Sequence, residues 1–544
     1  MEPMTTPVGE LRAAVERAAA SLRDGQGNGA GRPAPTLERP KKAEFGDYST
    51  NAAMLLAPVL GEPPRDIAAR LGDALGSELG PLLDRVEVAG PGFLNLFLAD
   101  VWYREALGHV LAAGDEFGGG GAPASERINV EFVSANPTGP LTAAGGRHAA
   151  YGDSLARVLE FAGHEVEGEY YFNDAGSQVR KLGESIRARA RGEPVPEDGY
   201  EGEYVAELAE RIPDAADGDP DELAHAGIEL LMEGIRATLA RYRVEFDTWF
   251  SERTLHEGDP SPIEHAFAEL RERGHVYESE GALWLRTTTF GDDKDRVLVR
   301  SAGDSTYFAA DVAYYEHKRG RGFDRLINVL GSDHHGYVAR LKALSAALGG
   351  DPEAYEIIIM QFVHIVEGEE RSSMSKRRGD FVTLDELLDD IGVDATRYFM
   401  LQRSHDTTMD LDLDLAREES AENPVYYVQY AHARIAGIRA KAGEGAEPSA
   451  DVEVELHPAE RALILKLLGF PAEVEEAAER RAPHRIATYA LELAQEFTAF
   501  YRDCKVVGAE PPEAEAFRLA LCVGSQRTIA RALDLLGVSA PETM

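Results

Sequence analysis

Residues 130–153 read VEFVSANPTGPLTAAGGRHAAYGD, and this stretch decides the fold. A β-branched strand, Ile128 to Val133, runs into a Pro/Gly turn. A helix follows from about Gly146 to Ala162, with Leu155, Val158, Leu159 and Ala162 on one face and Gly163 as its C-terminal stop. A second strand, Val166 to Phe172, completes a β-α-β unit, which implies a parallel sheet. In such sheets ligands sit at the carboxyl ends of the strands, and helix N-termini offer free backbone N–H groups to phosphates. The turn from Asn136 to Leu141 and the pair Gly145-Gly146 stand at that place. Taken alone they also read as an ordinary tight turn between strand and helix.

Working outward, Ala282–Arg286, Val297–Val299, Arg325–Leu330 and Ile357–Phe362 read as further strands. Apolar, β-branched strands separated by helices argue for a doubly wound sheet. The stretch from about Glu184 to Leu270 is acidic and mostly helical, and reads as an insertion. Residues 1–112 mix a helical stripe (Leu11, Ala14, Val15, Ala18) with strand-like VEVAG and GFLNLFL, the pattern of a small α+β module. The run Gly118–Gly121 is a linker by composition. From about Arg397 the pattern is helical to the end, broken by an acidic loop near 443–455, and implies a helical bundle. The expected architecture is multidomain α/β. It comprises an N-terminal α+β module (1–112), a Rossmann-like domain (122–400) with a helical insertion and a mobile loop at 371–380, and an all-α C-terminal bundle (401–544).

A chain of 544 residues is too long for one core. It carries no apolar run long enough for a bilayer, and its acidic, amphipathic N-terminus does not resemble a signal peptide. Two cysteines, Cys504 and Cys522, are too few for a zinc knuckle or a disulfide scaffold. A cytoplasmic protein without structural metal is expected. The net charge of −39 argues against general affinity for polyanions. Local basic segments remain at Arg39–Lys41–Lys42, Lys376–Arg377–Arg378 and His432–Arg434–Arg439–Lys441, each of which also reads as solvated surface charge.

A second motif, RSSMSKRRGD at 371–380, sets hydroxyl residues around a Lys and two Arg. Together with the first stretch it suggests ATP held between a helix start and a basic loop. The stretches VEFVSANPTGPL, GGRHAAYGDSLARVLEFAGHEV and YYFNDAGSQ resemble bacterial arginyl-tRNA synthetases, a class I aminoacyl-tRNA synthetase family. STYFAADVAYYEHK, NVLGSDHHGYVARLKA, MSKRRGDFVTLDEL and NPVYYVQYAHARI continue the resemblance in colinear order. FGDYSTNAA, VEVAGPGFLNLFL and the terminal APETM extend it over nearly the whole chain.

The resemblance implies ATP-dependent activation of L-arginine to arginyl-adenylate and transfer to the 3′ end of tRNA-Arg. It implies ATP with Mg²⁺ as the substrate complex, no membrane, and a monomer. The family's His-x-Gly-His signature is changed here: its two imidazole slots hold Thr142 and Gly145. Those imidazoles stabilise charge developing on the α-phosphate, and loss of one such donor costs about 3 kcal/mol. Thr142, His148 one helical turn past Gly145, and Arg147 are the groups that could compensate. Lys376 is carried over as the cation facing the β- and γ-phosphates.

By the same resemblance Pro137, Gly139, Gly146, Gly331, Asp333, His334, Gln361, Met374 and Ser375 line the ATP site. Glu252, Tyr307 and Asp311 grip the arginine guanidinium, while Asn136, Glu131 and Asp333 hold its α-amino group. Asn51 and Phe93 would touch the tRNA elbow, and Tyr427, Tyr430, His432 and Arg434 the anticodon. The eroded signature also leaves two other readings open, an arginine or ATP sensor and a non-catalytic tRNA-binding protein.

Overall fold

The computed structural model describes residues 6–23, 34–368, 370–371, 382–443 and 445–544. Its centre is a five-stranded sheet of β1 (Arg127–Glu131), β2 (Glu165–Phe172), β3 (Thr248–Ser251), β4 (Arg325–Gly331) and β5 (Tyr355–Met360). All neighbours are parallel, in the order β5-β4-β1-β2-β3. The order therefore reverses between β1 and β4, which opens a crevice above their carboxyl ends. Helix α1 (Ala143–Ala162) makes the crossover from β1 to β2 and buries Leu155, Val158, Leu159 and Ala162 as its periodicity predicts. Gly152 has no alternative there, because a Cβ would lie 2.0 Å from the Phe132 ring.

Three expectations need correction. The insertion comprises helices Ser177–Arg191, Glu203–Arg211 and Pro220–Arg241 and ends before β3, so Glu252 follows an edge strand of the central sheet. The strands Ala282–Leu285 and Arg296–Val299 join Val276–Ser279 in a separate antiparallel sheet. The region after Arg397 is not wholly helical, because Met409–Asp412 pairs in parallel with Val363–Glu367. Met409 and Leu411 are buried while Asp410 and Asp412 are exposed, the period-two signature of a strand.

The N-terminal module is a four-stranded antiparallel sheet with helices on one face, against which Leu94, Leu96 and Leu98 are buried. The C-terminal bundle runs from Pro424 to Leu535. One continuous apolar core joins both to the Rossmann-like domain. A polar pin reinforces it: buried Arg397 donates to the Asp153 carboxylate of α1, to the Tyr242 carbonyl at 2.9 Å and to the Leu536 carbonyl at 2.7 Å. Among the described residues no helix is long and apolar enough to cross a membrane.

Candidate active site

The turn after β1 is strained and then held. Val133 and Ser134 have φ of +67° and +40°, a region that β-branched and bulky residues avoid. Such conformations persist only where the surroundings over-determine them. The Ser134 hydroxyl donates to Glu131 at 3.1 Å and accepts the Tyr171 N–H at 3.2 Å. Tyr170 donates to the Ala135 carbonyl at 3.1 Å, and Tyr204, from the insertion, to the Thr138 carbonyl at 2.8 Å. Pro137 and Gly139 are buried in this turn, Gly139 beneath the Tyr204 ring. Asn136 is exposed and donates to Gln178 at 3.1 Å.

On the β1-β2-β3 side, acids and rings converge. Glu252 is 6% exposed and accepts the Tyr171 hydroxyl at 2.5 Å. Burial, offset in part by that hydrogen bond, raises its pKa. Asp311 lies on helix α2 (Tyr307–Gly320). Burial foremost, then the charges of Glu252 and Glu131, push its carboxyl up to about 7, with Arg340 opposing. Asp311 thus lies within electrostatic reach of Glu252 and Glu131. Among the described residues no hydrogen bond or ion pair occupies Asp311.

The rings beside these acids are half-buried Tyr171 and buried Tyr314, 4.7 Å apart, with Phe250 4.7 Å from Tyr314. Tyr307, expected in this role, is 56% exposed at the helix start. Glu131 also departs from expectation. Its Oε2 accepts from Lys318 Nζ at 2.5 Å and from Asn328 at 2.8 Å, and its Oε1 from Ser134, so its oxygens already have partners. Sequence reading missed Tyr171, Tyr314, Lys318 and Arg340. Register could have found Tyr171, which pairs with Phe250 two residues before Glu252.

On the β1-β4-β5 side stands the start of α1. Thr142 is its N-cap, and its hydroxyl accepts the Gly145 N–H at 3.3 Å. The Ala143 N–H goes to the Val382 carbonyl at 3.0 Å, and the Leu384 N–H returns to Leu141 at 2.8 Å. Two of the N–H groups expected to be free for phosphate are thus engaged. The close approach that Gly146 permits is to Leu384, whose Cδ1 would sit 2.7 Å from a Cβ there. Lys376, Met374 and Ser375 lie outside the described residues, but the chain resumes at Val382–Leu384 hydrogen-bonded to the helix start.

His148 faces the Val329 carbonyl, Asp333 and His334, and its buried Nδ1 has no partner among the described residues. Burial, with Arg147 next, pushes it down to about 4, so it is neutral and supplies no positive charge to a phosphate. Arg147 is 1% exposed and fully engaged by backbone carbonyls, so it is not the spare cation expected. Asp333 and His334 are exposed after β4, with His334 Nε2 3.5 Å from Asp333. Gln361 follows β5, its N–H on the His405 carbonyl at 2.8 Å. Among the described residues no group of three His, Cys, Asp or Glu side chains could hold a metal ion.

Comparison with known proteins decides the family. The chain is 47% identical over 526 residues to the arginine–tRNA ligase of Frankia alni, spanning 94% of each chain. The chain belongs to the arginyl-tRNA synthetases. It is 45% identical over 534 residues to the arginine–tRNA ligase of Geobacillus thermodenitrificans, covering 94% of this chain and 95% of that one. Thermus thermophilus arginyl-tRNA synthetase superposes with a TM-score of 0.76 at 26% identity, over 98% of this chain and 99% of that one. Family models match in order: the arginyl tRNA synthetase N terminal domain at 9–98, the class I (R) catalytic domain at 216–437 and the DALR anticodon binding domain at 428–544.

In this arginyl-tRNA synthetase the bundle presents a stacked ladder. Tyr426 and Tyr430 stack 6.1 Å apart, and Arg434 lies 4.6 Å over Tyr430 and 5.5 Å over Tyr501. Tyr430 and Tyr501 are exposed, whereas Tyr427 is half-buried against the core. His432 is buried with Nδ1 2.8 Å from the Pro541 carbonyl, so it fastens the C-terminal segment instead of facing solvent. In the N-terminal module Phe93 is exposed on the open sheet face, where Arg85 covers Phe97 at 3.6 Å. The Asn51 side chain is engaged by the Thr36 N–H at 2.9 Å, an internal structural contact.

Proposed function

We propose that this chain joins L-arginine to tRNA-Arg in two steps. The arginine carboxylate attacks the α-phosphorus of ATP, giving arginyl-adenylate and pyrophosphate, and the arginyl group then passes to a ribose hydroxyl at the 3′ end of the tRNA with release of AMP. Activation is an in-line displacement by a nucleophile that is already an anion. No protein general base is needed, and positioning and charge stabilisation carry the step. Mg²⁺ arrives with the nucleotide and neutralises phosphate charge.

The observation that carries this reading is that Glu252 and Asp311 both act on Tyr171, whose hydroxyl donates to Glu252 and whose ring lies 4.7 Å from Tyr314. A guanidinium offers forked donors to carboxylates and a flat face to rings. Glu131 is already paired with Lys318, which leaves two acids for one cationic side chain. The ATP would lie across β1, β4 and β5, with Gly331, Asp333, His334 and Gln361 toward the adenosine and Thr142 and Gly145 toward the α-phosphate. Lys376 would face the departing pyrophosphate.

The test is arginylation of tRNA-Arg by the purified chain with radiolabelled arginine. Charging with arginine but not lysine is expected. A chain that binds arginine yet charges no tRNA would be a sensor, and the proposal would fall.

A further inference from the structure

We infer that Arg147 is a positioning residue for the nucleotide half of the site, its guanidinium fixing the backbone at the carboxyl end of β5 against the first turns of α1. The inference rests on the nucleotide placement proposed above.

The side chain leaves α1 five residues after its N-cap and ends among backbone oxygens. Nη1 donates to the carbonyls of Gln361 at 2.6 Å and Phe362 at 3.0 Å. Nη2 donates to those of Ser404 at 3.0 Å and Thr407 at 2.9 Å. One planar fork therefore serves two separate segments. Those segments are also joined to each other, the Gln361 N–H to the His405 carbonyl at 2.8 Å and the Met409 N–H to the Phe362 carbonyl at 3.1 Å.

A role in packing alone would be met by Leu or Met at far lower desolvation cost. Here a cation is buried among carbonyls with no carboxylate in hydrogen-bonding distance among the described residues, and burial, opposed by the charge of Asp406, pushes it down to about 10. What the fork supplies is geometry. The chain turns at Gln361–Phe362 from β5 into the strand Val363–Glu367, and among the described residues no regular ladder spans from there to α1. The separation of the helix start from the end of β5 is the span a nucleotide must bridge from α-phosphate to base. A displacement of about 1 Å in such a span can cost about 10²-fold in rate. Lysine cannot substitute, since its point charge has three donors and no fork.

The experiment is ATP–pyrophosphate exchange by the full-length enzyme with tRNA-Arg present, comparing wild type, R147K and R147A. R147K should lower kcat/KM for ATP at least tenfold, while KM for arginine and affinity for tRNA-Arg stay within twofold. Ethylguanidinium added to R147A should restore part of the lost exchange. Equal losses toward ATP and arginine, no loss, or no rescue would overturn the inference. So would loss of the folded state in both variants, which would make Arg147 a determinant of stability. Absence of arginine-dependent exchange in the wild type would instead count against the proposed function.

Discussion

Lys318 Nζ lies 2.5 Å from Glu131 Oε2, and both side chains are almost wholly buried. The protein thus neutralises Glu131, at the end of β1, and leaves Asp311 and Glu252 to an incoming cation. Removing one member of a buried pair strands the other, at about 3–5 kcal/mol. Lys318→Met should therefore lower stability by about that amount, and Lys318→Met with Glu131→Gln should recover most of it. Urea unfolding of the two variants measures the difference. Equal destabilisation in single and double variants would show that the pair is not what the ammonium serves.

The same cluster sets a pH dependence. The Asp311 carboxyl is raised to about 7, so it is largely protonated below that pH and ionised above it. Affinity for arginine should rise as pH increases through 7, because only the anion attracts a guanidinium. Stability of the unliganded chain runs the other way. Between the ordinary carboxylate range and 7 the folded state holds a proton that the unfolded state has lost, so stability falls as pH rises through that window. Asp311→Asn should flatten the rise in affinity, reduce the fall in stability to what raised Glu252 contributes, and weaken arginine binding by about 1.5–3 kcal/mol, the worth of a charge-assisted hydrogen bond. Calorimetric titration of arginine from pH 6 to 8 checks it, and a flat profile in the wild type would refute it.

The doubly wound sheet was legible because β1, α1 and β2 each carry one strong period and sit in an uninterrupted unit. β3 was not: Thr248–Ser251 is four residues long and follows acidic helices, so no period could form. The acids Glu252 and Asp311 could be named from family likeness, but their neighbours could not. Tyr171 and Lys318 reach the pocket through sheet register and a helix turn, relations between distant segments that no local pattern records. His432 and Arg147 misled for a related reason. A polar side chain in sequence carries no mark of whether it meets solvent or a buried carbonyl.

The altered signature can be examined by asking which slot has room. A Cβ at Gly145 would meet nothing nearer than Leu141 Cδ2 at 3.5 Å, whereas one at Gly146 would press on buried Leu384. Gly145→His should fold at least as well as the wild type, since replacing a helical glycine gains up to about 1 kcal/mol. Gly146→Ala should lose about 1–3 kcal/mol through overpacking. Thr142→His gives up the N-cap, at about 1 kcal/mol. We predict slow pyrophosphate exchange in the wild type without tRNA-Arg and faster tRNA-independent exchange in Gly145→His. Equal rates in the wild type with and without tRNA would remove the basis for this expectation.

The ladder of Tyr426, Tyr430, Arg434 and Tyr501 makes the last prediction. Its members are spaced i, i+4, i+8 along one helix face, and Tyr501 joins from the neighbouring helix. Unpaired bases stack on such rings, each worth about 1–3 kcal/mol by alanine substitution. Tyr430→Ala and Arg434→Ala should each weaken tRNA-Arg binding by about that range, with arginine and ATP constants unchanged because the ladder lies outside the Rossmann-like domain. His432→Ala should behave differently. Its ring is buried on the Pro541 carbonyl, so the change should lower thermal stability while tRNA affinity, measured by filter binding, stays near wild type. Loss of tRNA affinity in a stably folded His432→Ala would mean that the Pro541 contact opens when tRNA binds, and the division between ladder and fastener would have to be redrawn.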